Sequence, residues 1–356
     1  MSIKVGIVGA GAIGEVHAKS AKKAGATVVA IADVNGEAAE RFGKEHAVDK
    51  RTGDIDELFQ DSDIDAIVVA VPNCFHRSVA ISAMEAGKDV FLEKPMALSA
   101  VECREIDQVA RRQDRILQIG FVNRYTPHAM TAKRFVDDGR IGKVYHAKAN
   151  FYRRRGIPGL GGWFTTKAMS GGGPLIDIGV HVMDLAMHLM GYPKPLRASG
   201  KVYAQFGPRM GDYLYEKMWA GPPKQEGTFD VEDSAHALIR LDGGATLEVN
   251  VTWAGNFKEE GPFKNSIALL GDKGGLSFNL YEGGLSVTTE ENGHNVDLTP
   301  HSKESDAWEN QWQAFIHAVK TREQPEASGA NGTTVQAMID AIYSSGEADA
   351  EVSVDV

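Results

Sequence analysis

Cysteine is nearly absent: the 356 residues contain two, Cys74 and Cys103. Two thiols outside any metal-type spacing exclude a disulfide framework and a cysteine-built zinc site, and they suit a reducing compartment. Basic residues are also in deficit. The 38 Lys and Arg against 48 Asp and Glu give a formal charge of −10, which excludes the broad cationic footprint that nucleic acid requires. No apolar run approaches the roughly 20 residues of a membrane-spanning helix. The chain starts almost at once on the strand-like IKVGIVGAG, with no basic leader or cleavage site. Repeats and low-complexity tracts are missing as well. A cytoplasmic protein without membrane or nucleic-acid partners is expected. What is present, 43% hydrophobic and 24% charged residues, suffices for the core of one large or two ordinary domains.

The first third alternates short apolar runs with helical periodicity. Strands are predicted over Ile3–Gly9, Thr27–Asp33, Asp65–Val71, Asp89–Glu93 and Arg115–Phe121. Helices are predicted over Ala12–Ala24, Glu37–His46, Asp54–Gln60, Phe75–Ala86 and Ser99–Arg112. Strands separated by helices imply parallel βαβ units and a doubly wound sheet. The pattern changes near Tyr125. After a helix at about Pro127–Asp138 come longer, alternating strands such as Val144–Arg153, Ser234–Leu241 and Ala245–Trp253. Glycine pairs separate several of them, as antiparallel hairpins need. The fold class expected is α/β, a Rossmann-type doubly wound parallel sheet, followed by an α+β domain on an open, mainly antiparallel sheet. The boundaries expected are 1–122 for dinucleotide binding and 123–356 for substrate binding and oligomerisation, the latter including late helices at Asp306–Lys320 and Thr333–Ser345. Phe206–Asp230, rich in Gly and Pro, is expected to be a loop serving as a lid or a subunit contact.

GAGAIG, Gly9–Ala10–Gly11–Ala12–Ile13–Gly14, matches G-x-G-x-x-G after a strand and at the opening of a helix, the context that gives this pattern weight. Gly9 permits the tight turn, Gly11 lets a pyrophosphate approach the backbone, and Gly14 lets helix and strand pack. The N–H groups of the helix start then face the phosphates. Asp33 ends the second strand, 33 − 14 = 19 residues after the last glycine, where a carboxylate holds an adenosine ribose. Its charge, with no arginine in AIADVNGE, favours NAD over NADP. Two further strand ends face the same crevice: VPNCFH, with Val71, Pro72, Asn73 and His76, and VFLEKPM, with Glu93 and Lys94. Asn73 and His76 could cap a helix or touch the cofactor. The Lys94–Pro95 bond could be cis or trans.

GGGPLIDIGVHVMDLAMHLMG, Gly171–Gly191, reads as one buried helix. Asp177, His181, Asp184 and His188 interrupt it at spacings of four, three and four, one stripe along the helix. Such a stripe could be satisfied core polarity, a chelating set or part of a ligand site. No metal is expected, and His188 is read as structural.

GAGAIG, VPN…H, EKP, GFVNR and the D-x-G-x-H of Asp177–His181, in this order, resemble the Gfo/Idh/MocA oxidoreductases over nearly the whole chain. The resemblance implies NAD- or NADP-dependent hydride transfer between nicotinamide and a secondary alcohol or ketone of a sugar, glucoside or cyclitol. It casts Lys94, Asp177 and His181 as the catalytic lysine, aspartate and histidine. The chemistry fits: an imidazole takes the hydroxyl proton, an ammonium stabilises the alkoxide, and Asp177 holds a substrate hydroxyl or the imidazole, with Asp184 behind it. Substrate contacts are expected from Arg124, Tyr152, Arg154 and Trp163, and RRRGIPG points to the 3-hydroxyl of a hexose or glucoside. The alternatives are an NAD-dependent glycosidase working by transient oxidation and a non-catalytic sugar-responsive binding protein of the same fold. A homodimer or homotetramer through the C-terminal sheet is also implied.

Overall fold

Strand and helix alternate through the first 120 residues of the computed structural model, which describes residues 2–214 and 218–356. The strands are β1 (Lys4–Val8), β2 (Thr27–Ala32), β3 (Lys50–Thr52), β4 (Ala66–Val69), β5 (Asp89–Leu92) and β6 (Leu117–Ile119). The helices between them are α1 (Ala12–Lys23), α2 (Gly36–His46), α3 (Asp56–Phe59), α4 (His76–Glu85) and α5 (Ala100–Arg112). Among the described residues these strands form a six-stranded sheet in the order β3-β2-β1-β4-β5-β6, parallel throughout. β4 and β5 are buried at every position, as strands covered on both faces must be. Strand order reverses between β1 and β4, and the carboxyl ends of the strands beside such a reversal are where doubly wound sheets bind ligands.

Beyond it run α6 (Pro127–Asp137), β7 (Val144–Tyr152), α7 (Lys167–Ser170), α8 (Val180–Leu189), β8 (Pro195–Tyr203), β9 (Ser234–Leu241) and β10 (Thr246–Thr252). The chain continues with β11 (Ser266–Gly271), β12 (Gly274–Asn279), β13 (Gly283–Glu291), β14 (His294–Leu298), α9 (Ala307–Thr321), α10 (Gly329–Ala348) and β15 (Val352–Ser353). Among the described residues a nine-stranded sheet has the order β14-β13-β12-β11-β7-β10-β9-β8-β15. Its pairs are antiparallel except β7 with β10. In β9, Ala235, Ala237, Ile239 and Leu241 are buried while His236, Leu238 and Arg240 are exposed, the period of a sheet with one covered face. α8 covers that face against β7, β10 and β11.

The chain divides into two units, one running to Tyr125 and including Ser305–Thr333, the other Thr126–Glu304 with Thr334–Val356. This corrects the expected boundaries 1–122 and 123–356: α9 belongs to the first unit. Trp312 and Phe315 are fully buried there, with ring centroids each 5.2 Å from Phe91 of β5. An amphipathic helix carries no local mark of which core it will cover, so only the packing reveals this return. Strands β3, β8, β14 and β15 were not expected either. β8 has only Pro195 and Ala198 buried, so its apolar periodicity is too weak to read. No described helix is long and apolar enough to cross a membrane. Of the loop expected over Phe206–Asp230, residues 215–217 lie outside the described residues.

Candidate functional site

The first unit gathers its polar features on the turns after β1, β4 and β5. After β1, Gly9 has φ +108°, and a Cβ there would fall 2.3 Å from the Ala70 carbonyl oxygen. A Cβ on Gly14 would fall 2.1 Å from the Gly9 carbonyl oxygen. The protein itself forces both to be glycine. Gly11 differs: it has ordinary extended backbone, and a Cβ there would meet no protein atom within 4 Å. Its missing side chain leaves space outside the fold, and it sits as the N-cap of α1 without a side-chain cap. That combination, bare N–H groups at a positive dipole end with open room before them, is an anion-binding geometry. Ala12 and Ile13 open the helix. Asp33 is oriented toward the same loop: its Oδ2 accepts the Ala10 N–H at 2.8 Å and its Oδ1 the Asn35 N–H at 2.8 Å. The residues therefore fit a dinucleotide.

Lys94 follows the last residue of β5 by two positions and is half-buried. The Lys94–Pro95 peptide is cis. Glu93 is buried; its Oε2 accepts the Lys94 backbone N–H at 3.1 Å and its Oε1 lies 2.9 Å from His17 Nε2. Burial pushes the Glu93 carboxyl up, but His17, the Lys94 charge and the Lys94 N–H together hold it below the usual glutamate range. Gly120 makes room, since a Cβ there would sit 2.7 Å from Glu93 Oε1. The Val71–Pro72–Asn73 turn closes β4, with Phe75 N–H bonded to the Pro72 carbonyl at 2.9 Å. His76 is buried with Nδ1 2.7 Å from the Pro95 carbonyl oxygen and Nε2 2.9 Å from that of Val71. Burial lowers its pKa below the ordinary imidazole value against the pull of those two carbonyls. The ring thus ties the turn after β4 to the turn after β5.

In the second unit the polar stripe does not lie on one uninterrupted α-helix. Leu175–Gly179 forms a π-helical turn, and α8 starts at Val180. Asp177 sits in the wide turn and His181 just beyond it. Single π turns recur at functional sites because they re-aim side chains that an α-helix would stack. The start of this segment is held from outside it. The buried Glu232 carboxylate accepts the Gly173 N–H at 2.9 Å, the Leu175 N–H at 3.0 Å and the Tyr343 hydroxyl at 2.9 Å. It caps the helix start from a remote loop, and Gly172 and Gly173 are the residues small enough to admit Tyr343 and Glu232. Asp177 is buried and its Oδ2 accepts the indole N–H of Trp253 at 3.0 Å. His181 is half-buried while Asp184 and His188 are buried. Asp184 accepts the Tyr192 hydroxyl just past the end of α8.

The expected substrate residues have different local surroundings. Arg124 is 2% exposed in the first unit, donates to the Glu326 carbonyl at 2.6 Å and stacks 5.3 Å over Phe121. Its guanidinium makes these contacts within the first unit. Tyr152 is buried among Phe257 and Phe263, and burial with the Glu248 charge pushes its phenol up to about 12. Arg154 is exposed, its backbone N–H bonded to Glu259 at 3.0 Å. Trp163 stacks on Phe164 at 3.7 Å, and Phe164 meets Trp219 edge-on at 5.0 Å. The long loop is docked backbone to backbone on this segment, with Ala220 N–H on Pro158 and Lys224 N–H on Leu160 carbonyls at 2.9 Å each. Trp253, Glu232 and Tyr281 were missed. Tyr281 lies on the β12–β13 turn, where the Arg153 and Asp177 charges are felt. Partial desolvation, reinforced by Asp177 and opposed by Arg153, raises its phenol although the residue keeps 68% of its surface open. The inward period of β10 marks Trp253; no sequence pattern marks the other two.

Residues 3–121 match the family described as oxidoreductase family, NAD-binding Rossmann fold, and residues 129–277 match the GFO/IDH/MocA C-terminal domain. D-glucoside 3-dehydrogenase of Escherichia coli (strain K12) is 28% identical over 355 residues, 99% of this chain and 97% of that protein. Inositol 2-dehydrogenase of Rhizobium meliloti (strain 1021) is 26% identical over 361 residues, 99% and 100% of the two chains. Levoglucosan dehydrogenase, solved in complex with NADH and levoglucosan, superposes with a TM-score of 0.86 at 22% identity over 100% of both chains, a likeness of fold.

Proposed function

From a chain that belongs to the Gfo/Idh/MocA oxidoreductases, we propose an NAD-dependent dehydrogenase that oxidises a secondary alcohol of a sugar, glucoside or cyclitol, the 3-hydroxyl of a glucoside foremost. The observation that carries this reading is the end-to-end likeness to a D-glucoside 3-dehydrogenase. Gly9–Gly14, the start of α1, Asp33 and the Val71–Asn73 turn would hold the cofactor. When bound, NAD supplies the hydride acceptor. Asp33, a carboxylate beside the glycine loop, repels a 2′-phosphate and so selects NAD over NADP.

His181 takes the hydroxyl proton, and Lys94 offsets the charge that develops on the same oxygen. Asp177, fixed by Trp253, holds a neighbouring hydroxyl or the imidazole. Tyr281 and Arg153 bind further hydroxyls, and Trp163 offers a ring for the C–H face of the sugar. The work is done in the cytoplasm by a homodimer or homotetramer. The open face of the second sheet supports that assembly, with Tyr203 43%, Leu238 39% and Leu270 42% exposed on it. These apolar side chains sit among the polar His236, Arg240, Lys148 and Glu248 of the same face, a mixed surface that a second copy would cover.

Incubation with NAD and a panel of glucosides, hexoses and cyclitols tests the activity. One NADH per keto-sugar is expected. Released aglycone without net NADH would instead identify a glycosidase, and no turnover of any polyol would leave a binding protein. The cofactor assignment has a separate test. Gly11→Ala should fold normally, with a cost under about 1 kcal/mol at this cap position, yet weaken NAD binding by about tenfold or more, since every 1.4 kcal/mol is tenfold. Gly14→Ala should lose stability outright, because its Cβ meets backbone. A Gly11→Ala protein with wild-type NAD affinity by calorimetry would remove the pyrophosphate from this loop.

A further inference from the structure

Glu93 is the end of a buried chain of donors that the proposed reaction does not use. His17 of α1 is fully buried in a box of rings, with centroids 4.8 Å from Phe91, 5.6 Å from Trp308 and 5.8 Å from Trp312. The Trp312 indole N–H points at His17 Nδ1 across 3.2 Å, and Trp312 stands 295 positions further along the chain. An indole nitrogen only donates. Nδ1 therefore carries the lone pair, the ring proton sits on Nε2, and Nε2–H donates to Glu93 Oε1 at 2.9 Å. The other carboxylate oxygen accepts the backbone N–H of Lys94 at 3.1 Å.

A buried imidazole needs only some partner, and a backbone carbonyl would have served. Here every donor runs one way, Trp312 to His17 to Glu93, and the acceptor at the end also receives the N–H of Lys94. A buried carboxylate stripped of such a donor costs several kcal/mol, so removing one link moves the carboxylate rather than leaving it in place. We infer that Trp312 and His17 are positioning residues for Lys94: they fix the Glu93 carboxylate, and the carboxylate fixes where the lysine leaves the end of β5. This role rests on the catalytic reading of Lys94 given above. It also gives a reason for α9 to return to the first unit, since α9 supplies the first donor of the chain.

Three variants of the full-length protein test it. Trp312→Phe keeps a ring on Phe91 but removes the N–H together with part of the buried indole, so its melting temperature is measured beside its kcat. His17→Leu removes both ends of the link, whereas His17→Gln keeps an N–H for Glu93. Trp312→Phe and His17→Leu should each lower kcat about fivefold to tenfold, the scale of one lost hydrogen bond, with KM and the calorimetric Kd for NAD little changed. His17→Gln should recover most of kcat. In the unliganded wild type, 15N NMR should show His17 as the Nε2–H tautomer, with Nδ1 accepting from Trp312. Wild-type kcat in folded Trp312→Phe or His17→Leu overturns the relay. So does a His17→Gln loss as deep as that of His17→Leu, or an Nδ1–H tautomer in the wild type, which needs no variant to fold. Lys94→Ala reads the catalytic role of Lys94 alone: full activity there refutes that role, while a silent Lys94→Ala beside unaffected relay variants refutes only the relay.

Discussion

Lys94→Ala should reduce turnover by about 10²–10³, the usual loss on removing one preorganised donor to a developing oxyanion, with the NAD Kd within a small factor of wild type. The two effects separate because they depend on different atoms. Cofactor affinity is assigned to backbone N–H groups at the start of α1 and to Asp33, none of which the substitution touches. Lys94 is placed by its own backbone: its N–H is held by Glu93, and its neighbour Pro95 is held by His76. A truncated side chain leaves those bonds intact, so the fold and the turn should survive. Substrate oxidation would then proceed without a charge opposite the alkoxide, and kcat and kcat/KM should fall together. Steady-state rates with titration calorimetry decide it. A variant that keeps more than a tenth of wild-type kcat would remove the lysine from the chemistry.

The second large effect is expected at His181. His181→Gln should lower kcat by about 10²–10⁴, the range attributed to a positioned general base. The glutamine side chain can still hydrogen-bond a hydroxyl but cannot take its proton. Substrate binding should therefore suffer less than turnover, and the residual rate should climb with pH as hydroxide replaces the lost base. Added imidazole should recover part of it. Because His181 is half-buried at the beginning of α8, while its neighbours Val180 and Val182 supply the packing, melting temperature should change little. Neither a rising pH dependence nor imidazole rescue is compatible with a purely structural histidine. A flat, unrescued profile with a lowered melting temperature would assign His181 to the core instead.

The glycine loop was legible because its constraint is local. Gly9 is demanded by its own left-handed backbone and Gly14 by the Gly9 carbonyl five residues earlier, and such short-range geometry leaves a fixed spacing, although the Ala70 carbonyl that also crowds Gly9 comes from the turn after β4. Asp33, which accepts the Ala10 N–H of that loop, follows it at an equally regular spacing. Asp177 and His181 were visible as polar residues in an apolar stretch, but the π turn that carries Asp177 was not, since Glu232 and Tyr343 cap it from 50 or more residues away. Arg124 has a partner that its own stretch does not announce: the Glu326 carbonyl it donates to arrives on a distant segment.

Sequence alone determined the doubly wound sheet, the dinucleotide loop and the residue types offered for catalysis. Each of these is written in periodicity or in spacings of a few residues, because a strand, a helix or a tight turn is set by neighbours along the chain. Tertiary structure decided that α9 covers the first sheet, that Glu232 opens the helix before Asp177, and that Trp312, His17 and Glu93 line up behind Lys94. Those outcomes depend on which buried surfaces and unpaired donors remain once the elements have formed, and burial is a property of the assembled core that no short stretch of residues contains.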